Sequence, residues 1–187
     1  MILPACGRAV YGVALNFRAE LERLTGQLPV APVLYLRPRN TWSVSGAAIR
    51  MPAEAKELKM AGTIGVVIGS GFVAVNDVSI PHESYFRPAI RQRCRDGFCV
   101  ISSDITERVP QEIRISINGE LQCRASIADL VRPVDKLIAD ISEFLTLQPG
   151  DILLVGESPD APLAHVGDRV RVEIDGVPAL ENEVVPE

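Results

Sequence analysis

Long apolar runs are missing from this sequence of 187 residues: none approaches ~18 consecutive apolar residues, so no transmembrane helix is expected. The opening, Met1 to Val10, has no basic patch ahead of a long apolar stretch. No secretory signal is therefore expected, and the cytoplasm is the expected compartment. Cysteine is scarce and unpaired in pattern. Cys6, Cys94, Cys99 and Cys123 form no Cys-x-x-Cys motif and have no histidine at zinc spacing. They read as reduced, buried thiols. Positive charge is short too: 19 Lys and Arg stand against 24 Asp and Glu, for a net charge of −5. A general nucleic-acid surface needs a basic stripe that displaces counterions, so none is expected. Repeats, low-complexity tracts and Gly/Ser linkers are absent, which leaves one domain over 1–187 as the expectation.

What is present reads as many short strands and few helices. Val10 to Phe17 is an apolar run bounded by polar residues and suits a strand. Arg18 to Leu24 holds helix formers and stops at Gly26. Pro32 to Leu36, Thr63 to Ile68 and Phe72 to Val78 are strand patterns, the last two joined by Gly69-Ser70-Gly71. Ile113 to Ile117 and Leu121 to Arg124 flank Asn118-Gly119, a pair that supplies the positive φ angles of a type I′ hairpin turn. Pro133 to Leu147 reads as the clearest helix, with Val134, Leu137, Ile138, Ile141, Phe144 and Leu145 on one stripe. Asp151 to Val155 and Arg169 to Ile174 alternate like strands. The acidic tail, Glu181 to Glu187, is expected to fray. The fold class is α+β, mostly β.

Basic residues gather at Arg87, Arg91, Arg93 and Arg95. They read either as a solvated helix face or as an anion site for a carboxylate-rich small molecule.

Several segments, in order, resemble the fumarylacetoacetate hydrolase family. They are Val13 to Phe17, Thr63 to Gly69, Phe72 to Ser79 with its Asn76-Asp77-x-Ser79 strand end, Leu147 to Leu154, and Val166 to Ile174 followed by Leu180 to Asn182. Leu36 to Thr41, Ile80 to Tyr85, Arg87 to Phe98 and Asp129 to Pro133 are most similar to the amino-terminal half of the two-part decarboxylase/isomerases of 4-hydroxyphenylacetate (homoprotocatechuate) catabolism. The resemblance implies a mixed β-sandwich roll of the fumarylacetoacetate-hydrolase type. In that group this half is fused to a metal-bearing half or made as a separate subunit; a chain ending at Glu187 would be the separate form.

The resemblance also implies chemistry. 5-Oxopent-3-ene-1,2,5-tricarboxylate loses CO₂ to give 2-hydroxyhepta-2,4-diene-1,7-dioate, which is then isomerised. Both steps place negative charge on the oxygen of a 2-oxo acid, which Mg²⁺ or Mn²⁺ stabilises. Catalytic relatives hold that ion with Glu-x-Glu on one strand and an Asp on a later one. The matching positions here are Ala61, Thr63 and Asp77, so this chain is expected to hold no metal of its own. The ion is expected on a homologous, metal-bearing partner in a homo- or hetero-oligomer. Family changes at Pro81-His82, at Val155 to Pro159 and at Glu20 each remove a polar group expected to orient substrate.

Candidate catalytic residues are Asp77 and His82, the latter because only histidine titrates near neutrality unaided. Candidate substrate-binding residues are Arg37, Asn76, Arg93 and Asp96. Structural roles remain open beside these: ion pairs for Arg37 and Arg93, capping for Asp77, a satisfied structural imidazole for His82, and packing for Trp42 and Tyr85. The rival functions are a purely architectural partner of a metal-bearing sibling, or an acylpyruvate-type hydrolase.

Overall fold

The computed structural model describes residues 9–24, 29–82 and 88–187. In chain order, the first half holds β1 (Val10–Ala14), α1 (Arg18–Leu24), β2 (Val33–Leu36), β3 (Trp42–Ser43), β4 (Ile49–Met51), β5 (Leu58–Val67), β6 (Gly71–Ser79), α2 (Ile90–Arg93) and β7 (Cys99–Ile101). The second half holds β8 (Glu112–Ile117), β9 (Glu120–Ser126), α3 (Val134–Ser142), β10 (Ile152–Leu154), β11 (Leu163–Ala164), β12 (Arg169–Ile174) and β13 (Leu180–Pro186). The mostly-β reading holds.

The strands form two curled sheets among the described residues. One runs β2-β1-β10-β5-β6-β7-β3, with β11 added beside β5; the other runs β4-β13-β12-β8-β9. The hairpin β5–β6 is the centre of the first sheet, pairing from Lys59↔Ser79 to Val67↔Gly71. Gly69 (φ 79°) and Gly71 (φ 138°) make its turn. Successive side chains on these strands face opposite ways. Met60, Ile64, Ala74 and Val78 meet Ile113, Ile115, Val170 and Val172 of the second sheet in one core. Gly62 permits the close approach there: a Cβ would stand 2.9 Å from the Ile115 Cγ1 atom. The other face carries Val73, Val75, Cys99, Ile101, Ile152 and Leu154 as a second apolar cluster. The polar site described below lies on that same face of β5 and β6.

Asn118 (φ 53°) and Gly119 (φ 85°) adopt the left-handed conformations that a type I′ turn requires, as the sequence predicts. Three expectations need correction. The tail does not fray: β13 lies between β12 and β4, pairing Leu180 with Val172 and Val184 with Ile49. The long helix ends at Ser142, because the Ile141 carbonyl accepts from the N–H groups of both Phe144 and Leu145, a tightened last turn. Phe144 is consequently exposed, while Leu137 and Ile141 are buried. The first strand stops at Ala14, since Leu15 takes a φ of 58° that no strand accommodates.

That bend is held by Asn16. Its side-chain Nδ2 donates to the carbonyls of Val155 (2.7 Å) and Arg132 (3.1 Å), and its Oδ1 accepts from the Arg132 N–H (2.9 Å). The buried amide therefore ties the start of α1 to the end of β10 and to the loop before α3. Phe17, 0% exposed, and Leu21 anchor the helix beneath.

Candidate functional site

Three elements converge where β5 and β6 part. Tyr35 at the end of β2 stands directly across from Gly12 of β1, and Arg37 follows two residues later on the same side. Ala61 of β5 stands across from Asp77 of β6, and Lys59 across from Ser79. Arg93 closes α2 from outside the sheet.

Asp77 is wholly buried, yet neither of its oxygens is idle. Its Oδ2 accepts from the Tyr35 hydroxyl and pairs with the Arg93 Nη1 at 3.4 Å; its Oδ1 binds the Arg37 guanidinium. Arg37 also donates to the carbonyls of Arg93 and Val78, the latter at 2.7 Å. Trp42 fixes this arginine's backbone by donating from its indole to the Arg37 carbonyl at 2.9 Å. Arg93 continues the chain, donating to the buried carboxylate of Glu157, and Glu157 accepts from the Lys59 Nζ at 2.6 Å. The Arg93 guanidinium also lies over the Tyr35 ring, 4.5 Å from its centroid. Arg37, Asp77, Arg93, Glu157 and Lys59 thus form one continuous network with three cations and two carboxylates.

Charge states follow from this packing. Burial and the nearby Asp77 carboxylate push the Tyr35 phenol well above its usual value, so it remains a donor. Burial raises Glu157, but the Arg93 and Lys59 charges and hydrogen bonds more than offset that and hold it at about 2. The folded value lies below the ordinary 4.5, so the ionised network stabilises the fold above that pH. Stability is expected to fall as the pH drops from 4.5 towards about 2. Urea midpoints measured down that range test this, and Glu157→Gln should flatten the slope. Burial first, and then Arg93 and Lys59, hold the His82 imidazole below its usual value, outweighing the opposing pull of Ile80 and Glu157. Its Nδ1 lies 3.0 Å from the Ile80 carbonyl, which can only accept, so the Nδ1 carries the proton.

Above the network lies a cavity of about 330 Å³ lined by Ala19, Glu20 and Arg23 of α1, by Lys59, and by Ser158 to Ala161 and Leu163. Its roof is therefore α1, and Lys59, with its side chain 22% exposed, connects it to the buried charges. Asp160 takes a positive φ of 54° at the rim.

Of the sequence-predicted site residues, Asp77, Arg37 and Arg93 come together, and His82 lies within their electrostatic reach. Asn76 does not join them: it points to the opposite face, where its Nδ2 lies 3.5 Å from the Met60 Sδ. Asp96 is exposed and accepts from Asn40 at 2.7 Å, outside the network. The arginine run divides. Arg91 is exposed and pairs with Glu54, Arg93 is buried, and Arg87 lies outside the described residues. So do Glu83, Tyr85, Cys6 and Gly26. The expectation that the change at Val155 to Pro159 only removes a polar group is corrected, because Glu157 adds a buried carboxylate. Sequence reasoning passed over Tyr35 and Lys59. Their signal was the two-residue period: Tyr35 precedes Arg37, and Lys59 precedes Ala61 and Thr63, each on one strand face.

A divalent cation of the kind the family uses does not fit these donors. Ala61 has no ligand atom, the Thr63 hydroxyl donates to the Gly156 carbonyl at 2.6 Å, and both Asp77 oxygens face arginines. No group of three or more His, Cys, Asp or Glu suited to a metal occurs among the described residues.

The two curled sheets, with a helix-roofed cavity beside a buried charge network, define a mixed β-roll. The chain belongs to the fumarylacetoacetate hydrolase family: the domain described as Fumarylacetoacetate (FAA) hydrolase C-terminal matches residues 9–185. It is 36% identical to the 4-hydroxyphenylacetate degradation bifunctional isomerase/decarboxylase of Escherichia coli, across 95% of this chain and 47% of that protein. It thus spans about half the length of that relative. The structure of 2-hydroxyhepta-2,4-diene-1,7-dioate isomerase from Mycobacterium marinum superposes with a TM-score of 0.79 at 26% identity, over 97% of this chain and 75% of that one. Fumarylpyruvate hydrolase from Pseudomonas aeruginosa, solved with Mn²⁺ and pyruvate, shares the fold at a TM-score of 0.82 and 20% identity, over 97% and 91% of the chains.

Proposed function

We propose that this chain is a subunit of an enzyme that decarboxylates 5-oxopent-3-ene-1,2,5-tricarboxylate and isomerises 2-hydroxyhepta-2,4-diene-1,7-dioate in 4-hydroxyphenylacetate catabolism. A homologous partner holds the Mg²⁺ or Mn²⁺ that stabilises the 2-oxo acid. The observation that carries this reading is the gathering of Lys59, Arg37 and Arg93 around two carboxylates beneath a cavity of small-molecule size, with Lys59 in the cavity wall. An ammonium in a cavity wall with N–H donors to spare favours a carboxylate ligand. His82, neutral near pH 7 with its Nδ1 proton engaged, is the group suited to moving a proton on the diene. Substrate binding by Arg37 and Arg93 is indirect, through the field they set up at Lys59.

An architectural role has its own support: Asp77 is spent on arginines and Tyr35, so no carboxylate there is free to act on substrate. Reconstitution separates the two. The chain alone with Mg²⁺ should release no CO₂, and adding the metal-bearing homologue should restore release. Lys59→Met in the reconstituted enzyme should lower kcat/KM at least ~10-fold for the enzyme-subunit reading. An unchanged kcat/KM would favour the architectural role, and turnover by the chain alone would refute both.

A further inference from the structure

The misfit to a metal has a counterpart in what fills its place. We propose that the Arg93 guanidinium, clamped between Asp77 and Glu157, permanently substitutes for a dication, and that Lys59 binds one carboxylate group of a small ligand without metal. The inference rests on the carboxylate-binding reading of this cavity and adds that binding is metal-independent.

The two carboxylates bracket Arg93: Asp77 Oδ2 lies 3.4 Å from its Nη1, and Glu157 binds its Nη2. Two acidic side chains facing a shared centre are the usual frame for a divalent ion, and here a delocalised planar cation satisfies both from one side chain. A metal ion entering would have to displace a guanidinium held at 5% residue exposure. Lys59 is the network's only member reaching the cavity lining. Its ammonium has three N–H donors and gives one to Glu157 at 2.6 Å. The two N–H donors left over match the two oxygens of one carboxylate.

Pyruvate is a suitable probe, titrated into the full chain and followed by amide NMR shifts, once in EDTA and once with Mg²⁺. The affinities are expected to agree within about twofold, and Lys59→Met should weaken binding at least ~10-fold, the loss of one charge-assisted hydrogen bond. Lys59→Arg, which keeps the charge, should retain most of the affinity. Binding that appears only with Mg²⁺, no binding at all, or Lys59→Met binding as tightly as the parent would each overturn the proposal. None of these readings depends on turnover, so failure here is distinct from failure to reconstitute activity.

Discussion

Asp77→Ala is expected to lower the free energy of unfolding by about 3–5 kcal/mol, as measured by urea denaturation. The carboxylate sits at 0% exposure and, among the described residues, is the only anion paired with Arg37, itself 2% exposed. Removing it leaves a guanidinium buried without a counter-charge and deprives the Tyr35 hydroxyl of its acceptor. Glu157 cannot compensate, because it is engaged by Arg93 and Lys59. The penalty is that of stranding a charge, not the net worth of the pair. The double change Arg37→Met with Asp77→Leu should therefore recover most of the loss. If Asp77→Ala cost under ~1 kcal/mol, the pair would have to be open to solvent in solution.

Gly12→Ala is the second large effect. Across the β1–β2 pairing the Tyr35 ring lies over the Gly12 Cα, and a methyl there would overlap the ring carbons. The ring must move, and with it the hydroxyl that donates to Asp77. Overpacking costs about 1–3 kcal/mol, and a disrupted buried hydrogen bond about as much again. The expected sum, about 2–6 kcal/mol, should appear in the urea midpoint. Truncating the ring tests the cause: in a Tyr35→Ala background, Gly12→Ala should cost little, so the coupling energy should approach the whole effect, about 2–6 kcal/mol. Additive effects would show that the ring is not what Gly12 accommodates.

Local rules made much of this fold legible. Asn118-Gly119 fixed its hairpin because two positive φ angles admit few other residues. Gly69-Ser70-Gly71 marked the turn of the central hairpin for the same reason. The family motifs located Asp77, Arg37 and Arg93. Other features were hidden by physics that a linear pattern does not carry. Leu180, Asn182 and Val184 alternate inward along β13, but Glu181 and Glu183 between them made the segment look like a solvated tail. Only the pairing with β12 and β4 supplies the backbone partners that make it a strand. Asn76 and Asp77 read as one motif, yet the pleat sends neighbours to opposite faces, and only Asp77 reaches the site. Glu157 looked like the loss of a family threonine. Its role depends on Arg93 and Lys59, 64 and 98 residues away in sequence, which no local window joins.

The buried amide of Asn16 sets how far the roof helix can lift. Swinging the roof helix aside means breaking three side-chain hydrogen bonds, to Val155 and twice to Arg132. At about 1 kcal/mol net for each, a lifted helix is populated in roughly one molecule in a hundred or fewer. Breathing of this lid is thus a rare excursion. Everyday traffic is left to the swivel of the exposed Arg23 side chain at the cavity wall.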